Sequence, residues 1–113
     1  MSAKKSPVTL IDRVRTALAK EPTLEEKKMF GCVGFMVRDK LCIGARETRL
    51  MCRIDPELQP ALVKEKGVRA MVMRGKKLKG YVHVSAEVLT TATQLKRWIK
   101  LVMDENRRIT SSR

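Results

Sequence analysis

Aromatic residues are almost missing from this sequence: one tryptophan, one tyrosine and two phenylalanines stand among 113 residues. A platform of stacked rings for unpaired bases is therefore not expected. No apolar run approaches the roughly 18 residues that a membrane-spanning helix needs. The opening MSAKKSP also has no apolar stretch like that of a secretory leader, so the expected location is the cytosol, with no membrane partner. Cysteine is scarce and odd in number (Cys32, Cys42 and Cys52), without a C-x-x-C pair. That fits a disulfide framework poorly, and free thiols are expected in a reducing compartment. Histidine occurs once, at His83, with no carboxylate near it in sequence. Nucleotide, zinc-protease and nucleophile-elbow signatures are missing too, so neither catalysis nor a bound cofactor is expected.

Negative charge is also in short supply. Lysine and arginine number 25 against 12 aspartates and glutamates, a formal net charge of +13. Such an excess raises affinity for polyanions and says nothing about fold. The plain alternative is that it serves solubility only.

The chain length suits one domain, placed here at residues 6–108, with polar ends at 1–5 and 109–113 expected to fray. Ser6 and Pro7 form a helix-start signal, and Leu10, Ile11, Val14 and Leu18 recur at helical spacing, giving a helix over about residues 7–20. From Lys27 to Ile54 the period becomes two: Val33, Phe35, Val37; Leu41, Ile43, Ala45; Leu50, Cys52, Ile54. Consecutive antiparallel strands follow from it. Asp55 and Pro56 start a second short helix, with Leu58, Ala61 and Leu62 on one face, and Gly67 stops it. Residues 70–73 and 81–84 look like strands joined by the loop RGKKLKG. A last helix over about residues 92–107 carries Leu95, Trp98, Ile99 and Val102 inward and Lys96, Arg97 and Lys100 outward. The fold class is α+β: two layers, an antiparallel sheet of about five or six strands, and three helices.

The segment EKKMFGCVGFMVRDKLCIGA (26–45) resembles the opening hairpin of the TfoX N-terminal domain family, and RGKKLKGYVHV (74–84) resembles its second signature, a basic loop ending in K-G-Y or K-G-F. The resemblance extends over residues 8–107 and marks Lys27, Lys28, Met29, Phe30, Gly31, Gly75 and Gly80 as structural motif positions. It implies a two-layer α+β domain associated with regulation of natural transformation in bacteria. Two-domain members carry a further C-terminal domain, and no catalytic residue is implied. Cys32 stands where many relatives have a second glycine, and Lys76 with Lys77 makes the loop more basic than usual.

The first candidate site is that basic loop. From Lys66 to Ala86 there are six cations and no carboxylate. Arg69, Arg74, Lys76, Lys77 and Lys79, extended by Lys96, Arg97 and Lys100 if they face the same side, suit a phosphate backbone, and Tyr81 suits a base. The competing reading is a solvated hairpin whose lysines prevent edge pairing. For the cysteines, a zinc set or redox sensor with His83 competes with small buried hydrophobes. The methionines at 29, 36, 51, 71 and 73 suit either an adaptable binding surface or core filling, with core filling favoured. The expected function is thus a non-catalytic regulatory or accessory module that binds nucleic acid with little sequence preference. The alternative is a protein–protein module or homodimer acting on a transcriptional regulator.

Overall fold

The structure, a computed structural model, describes residues 9–29 and 31–111. Helix α1 (Leu10–Ala17) is followed by four strands, β1 (Glu25–Met29), β2 (Cys32–Val37), β3 (Lys40–Ala45) and β4 (Arg49–Arg53). A 3-10 turn (Pro56–Leu58) leads into the single-turn helix α2 (Gln59–Leu62). Strands β5 (Val68–Met73) and β6 (Lys76–Ser85) and the long helix α3 (Ala92–Ser111) complete the chain. All six strands form one antiparallel sheet in the order β1-β2-β3-β4-β6-β5. The fold class is as the sequence leads one to expect.

Three local differences have physical reasons. The helix-start signal at Ser6 and Pro7 lies outside the described residues; the described helix starts at Leu10, where the Thr9 side chain accepts from the Asp12 amide. The second helix shrinks to one turn, and only Leu62 is buried, whereas Leu58 and Ala61 face solvent. Pro60 has no amide to donate back to the Pro56 carbonyl, so the run that starts at Pro56 divides into a 3-10 turn and a separate single helical turn. At the other end, α3 continues past the expected fray at residue 109, and Thr110 donates its hydroxyl to the Asn106 carbonyl. Its start is fixed by a reciprocal pair: the Gln94 amide donates to Thr91 Oγ1, and the Thr91 amide donates to Gln94 Oε1.

Period two along each strand separates two faces of the sheet. Val33, Phe35, Ile43, Leu50, Cys52, Val82 and Val84 point to one side and are buried. Helices α1 and α3 cover that side with Leu10, Val14, Leu18, Leu95, Trp98 and Val102. Phe35 is fully buried and Trp98 nearly so, as expected of the core aromatics; Phe30 lies outside the described residues. Asn106, 2% exposed, donates to the Val37 carbonyl and accepts from Arg38 Nη1, pinning the β2–β3 turn to α3. Among the described residues no helix lies over the other side of the sheet, called here the open face.

Candidate nucleic-acid interface

The segment read from sequence as a basic loop is strand. Met73 pairs with Lys76, so Arg74 and Gly75 alone form the turn, both at positive φ (55° and 78°). Such two-residue turns match the twist of their flanking strands and favour glycine at the second position. A Cβ at Gly75 would meet nothing within 4 Å, so its backbone conformation alone calls for glycine. A strand needs a period-two apolar pattern only where one face is buried, and here neither is. Val72 and Met73 are exposed at 56% and 51%, with Lys77 opposite Val72 and Lys76 opposite Met73. Cations therefore occur on both faces of a two-stranded arm.

The arm begins at an irregularity that sequence gives no means of finding. Ala70 pairs with Val82 but Val72 pairs with Lys77, so β6 carries extra residues against Met71. The Gln59 side chain satisfies what this bulge leaves open. Its Nε2 donates to the carbonyls of Leu78 (3.0 Å) and Tyr81 (3.3 Å), and its Oε1 accepts from the Gly80 amide (2.8 Å). Gly80 itself sits at φ 83°, and an added Cβ would lie 3.1 Å from the Ile54 carbonyl oxygen. That carbonyl belongs to the residue whose amide donates to Gly80. Before Gly80, over residues 76–79, β6 pairs only with β5.

The nine candidate residues fall into three groups. Arg74, Lys76, Lys77 and Lys79 are exposed on the arm, and none makes an ion pair among the described residues. Arg69 and Tyr81 lie on the open face, opposite His83 and Arg53 respectively. Tyr81 already has a cation over its ring, the Arg53 guanidinium at 5.5 Å. Lys96, Arg97 and Lys100 are on α3, which covers the buried face, so they do not extend the same side. Arg97 is held by Glu65 at 2.7 Å and Lys100 by Asp104 at 2.9 Å. Both carboxyls are held below their usual range, chiefly by hydrogen bonds from these cations. Of the family-motif residues, Lys27 and Lys28 are exposed on β1, Met29 ends it, and Gly31 takes φ 79° in the following turn.

The cysteines are split between the two faces. Cys42 and Cys52 are buried under the helices, whereas Cys32 lies half-buried on the open face with His83. Among the described residues no group of three potential ligands is placed to hold a metal. Burial pushes the Cys42 thiol up, and it pushes Cys52 up to about 12. Counting thiols with an aromatic disulfide reagent should therefore find Cys32 reacting in the native protein and the other two only on unfolding. Prompt reaction of all three would contradict the packing.

His83 is half-buried, and burial together with the charges of Arg49 and Arg46 pulls its pKa below 6.5. The folded chain thus takes up this proton less readily than the unfolded chain. Stability carried by His83 is complete above the unfolded value and declines as pH falls through it toward the folded value. The urea midpoint should drop as pH falls through about 6.5, and His83→Gln should flatten that slope. An unchanged slope in the variant would assign the dependence elsewhere.

The methionines correct the expectation of core filling. Met36, Met51 and Met71 are on the open face, not in the core, and Met73 is on the arm. Period two shows that alternate residues share a face but not which face the helices cover.

A sheet with helices on one face, an open face and a charged two-stranded arm defines a small α+β module. The profile of the TfoX N-terminal domain matches residues 16–106, and the chain belongs to that family. It is similar in fold to a Deinococcus radiodurans protein with a DUF419 domain (TM-score 0.71, 18% identity, covering 95% of this chain and 83% of that one). A Pseudomonas syringae protein is also similar in fold (TM-score 0.59, 14% identity, covering 80% and 92%). No curated protein matches the chain at a significant level. No helix among the described residues is long and apolar enough to cross a membrane.

Proposed function

We propose that this chain is a non-catalytic regulatory or accessory module that grips nucleic-acid backbones through the β5–β6 arm. The observation that carries this reading is the arm itself: four exposed cations on both faces and the tip of a two-stranded ribbon, without a neutralising carboxylate. The major groove of duplex DNA, about 12 Å wide, admits a two-stranded ribbon between its two phosphate rows. Lys76 and Lys77, pointing to opposite sides, then face opposite rows. Backbone contacts fix position without reading sequence, so the expected binding is weakly sequence-specific. A role in regulating DNA uptake, as associated with the TfoX N-terminal domain family, is compatible with such a module.

The test is an anisotropy titration of short duplex and single-stranded DNA and RNA over a salt series. With four arm cations each on a phosphate, log affinity should fall against log salt with a slope of about 3 to 4 on duplex DNA. Affinity independent of salt, or none near physiological salt, would remove the reading and leave the arm's charge to prevent edge pairing.

A further inference from the structure

The open face has a concavity of about 470 Å³ that the arm-borne reading does not use. Its floor is Gly34 and Gly44, which pair directly with each other on β2 and β3. Around them stand Cys32, Leu41, Met51 and Met71. The sheet curls enough that Val72 and Met73 of β5 line the same hollow as residues of β2, although β5 is at the far edge of the sheet. Arg49 and His83 line both this hollow and a neighbouring polar one of about 420 Å³, in which Arg69 and Lys66 also take part. Side by side, the two make one groove: one end is mostly apolar with Arg46 in its lining, and the other carries Arg49, Lys66 and Arg69 against the single carboxylate of Glu87.

The charges decide what suits it. Across the strand positions of this face, Lys27, Arg49, Arg53 and Arg69 are positive, and Glu25 alone is negative. Arg49, Arg53 and Arg69 make no ion pair among the described residues. A second copy placed face to face would set like charges against each other, which costs free energy. The one ring on this face among the described residues, Tyr81, already has the Arg53 guanidinium over it, which leaves little for a base to stack on. Flexible thioethers around a bare backbone floor accept aliphatic or aromatic side chains of varied shape. We infer that the open face is a docking groove for an acidic protein segment, whose apolar side chains enter the glycine-floored hollow and whose carboxylates meet Arg49 and Arg69.

Gly44 gives a clean test. Its φ is not positive, and an added Cβ would meet Met51 at 3.4 Å and 3.6 Å, ordinary contact, so the backbone accepts a side chain there and Gly44→Val fills the floor. The probe is a fluorescein-labelled peptide alternating glutamate with leucine and phenylalanine. Its controls are a glutamate-only peptide and the same apolar pattern with lysine. The acidic apolar peptide should bind tightest, and both Gly44→Val and the Arg49→Glu/Arg69→Glu pair should weaken it about tenfold. Lys20→Glu/Lys96→Glu, equal in charge change and outside the groove lining, should leave this binding within about twofold, which separates the groove from bulk charge. Equal binding of the glutamate-only peptide, or no loss in Gly44→Val, overturns the proposal. So does a loss of oligonucleotide affinity in Gly44→Val, which would give the face to nucleic acid. A dimer in sedimentation that Gly44→Val dissociates would give it to a second copy.

Discussion

Reversing Lys76, Lys77 and Lys79 together to glutamate should lower duplex-DNA affinity by about a hundredfold or more at moderate salt, and reduce the salt slope by about one per lysine. The three side chains are exposed and make no ion pair or side-chain hydrogen bond among the described residues, so reversing them breaks none. Net charge falls by two for each reversal, from +13 to +7. Bulk charge alone could account for part of the loss, and a matched variant separates the two effects. Lys20, Lys64 and Lys96 are also exposed, lie off the arm, and when reversed give the same +7. That control should lose affinity much less and keep its salt slope. Equal losses would mean that the polyanion senses the whole molecule and that the arm has no special part. Lys96 is the informative member, because it belongs to the helix group first considered part of the same patch. Lys100→Glu should matter still less, since Lys100 is already committed to Asp104.

What could be read in advance follows from how each element gains its stability. Strands β2 to β4 and helix α3 bury one face, so their apolar periods appear directly in the sequence. The arm buries neither face, so its residues show lysines and glycines and resemble a loop; only Gly75, at the second position of the turn, fits a two-residue hairpin. Gln59 gives no local sign at all, because its partners lie 19 to 22 residues further along the chain. The methionines of the open face were visible as residues but not as a surface. That assignment depends on which side α1 and α3 occupy, and no single strand records it. The open-face groove was missed for the same reason, since its floor joins glycines from two strands. The Lys79-Gly80-Tyr81 signature was visible as a family motif, and the structure supplies its cause: a bulge that only glycine fits.

That bulge should be the most sensitive point of the arm. Gly80→Val puts a β-branched residue at φ 83° and a Cβ 3.1 Å from the Ile54 carbonyl oxygen. The left-handed conformation alone costs about 1–2 kcal/mol, and relieving the contact raises the expected loss to about 2–4 kcal/mol. Gln59→Leu keeps the side-chain size but removes three hydrogen bonds to the bulge. At about 0.5–1.5 kcal/mol net for each, with water replacing part, a loss of about 1–3 kcal/mol is expected. The two changes act on one structure, so the double variant should lose less than the sum, whereas independent sites would add. Urea unfolding of the three variants measures this directly. The same variants then test whether arm geometry, rather than charge alone, matters for binding. Gln59→Leu leaves every cation in place, yet it frees the base of the arm and lets the two faces bearing Lys76 and Lys77 move. If a fixed ribbon is what meets the phosphate rows, its duplex affinity should fall severalfold at unchanged net charge. If affinity stays at the wild-type level while stability drops, the lysines act as a flexible charged tether, and the clamp at Gly80 serves folding only.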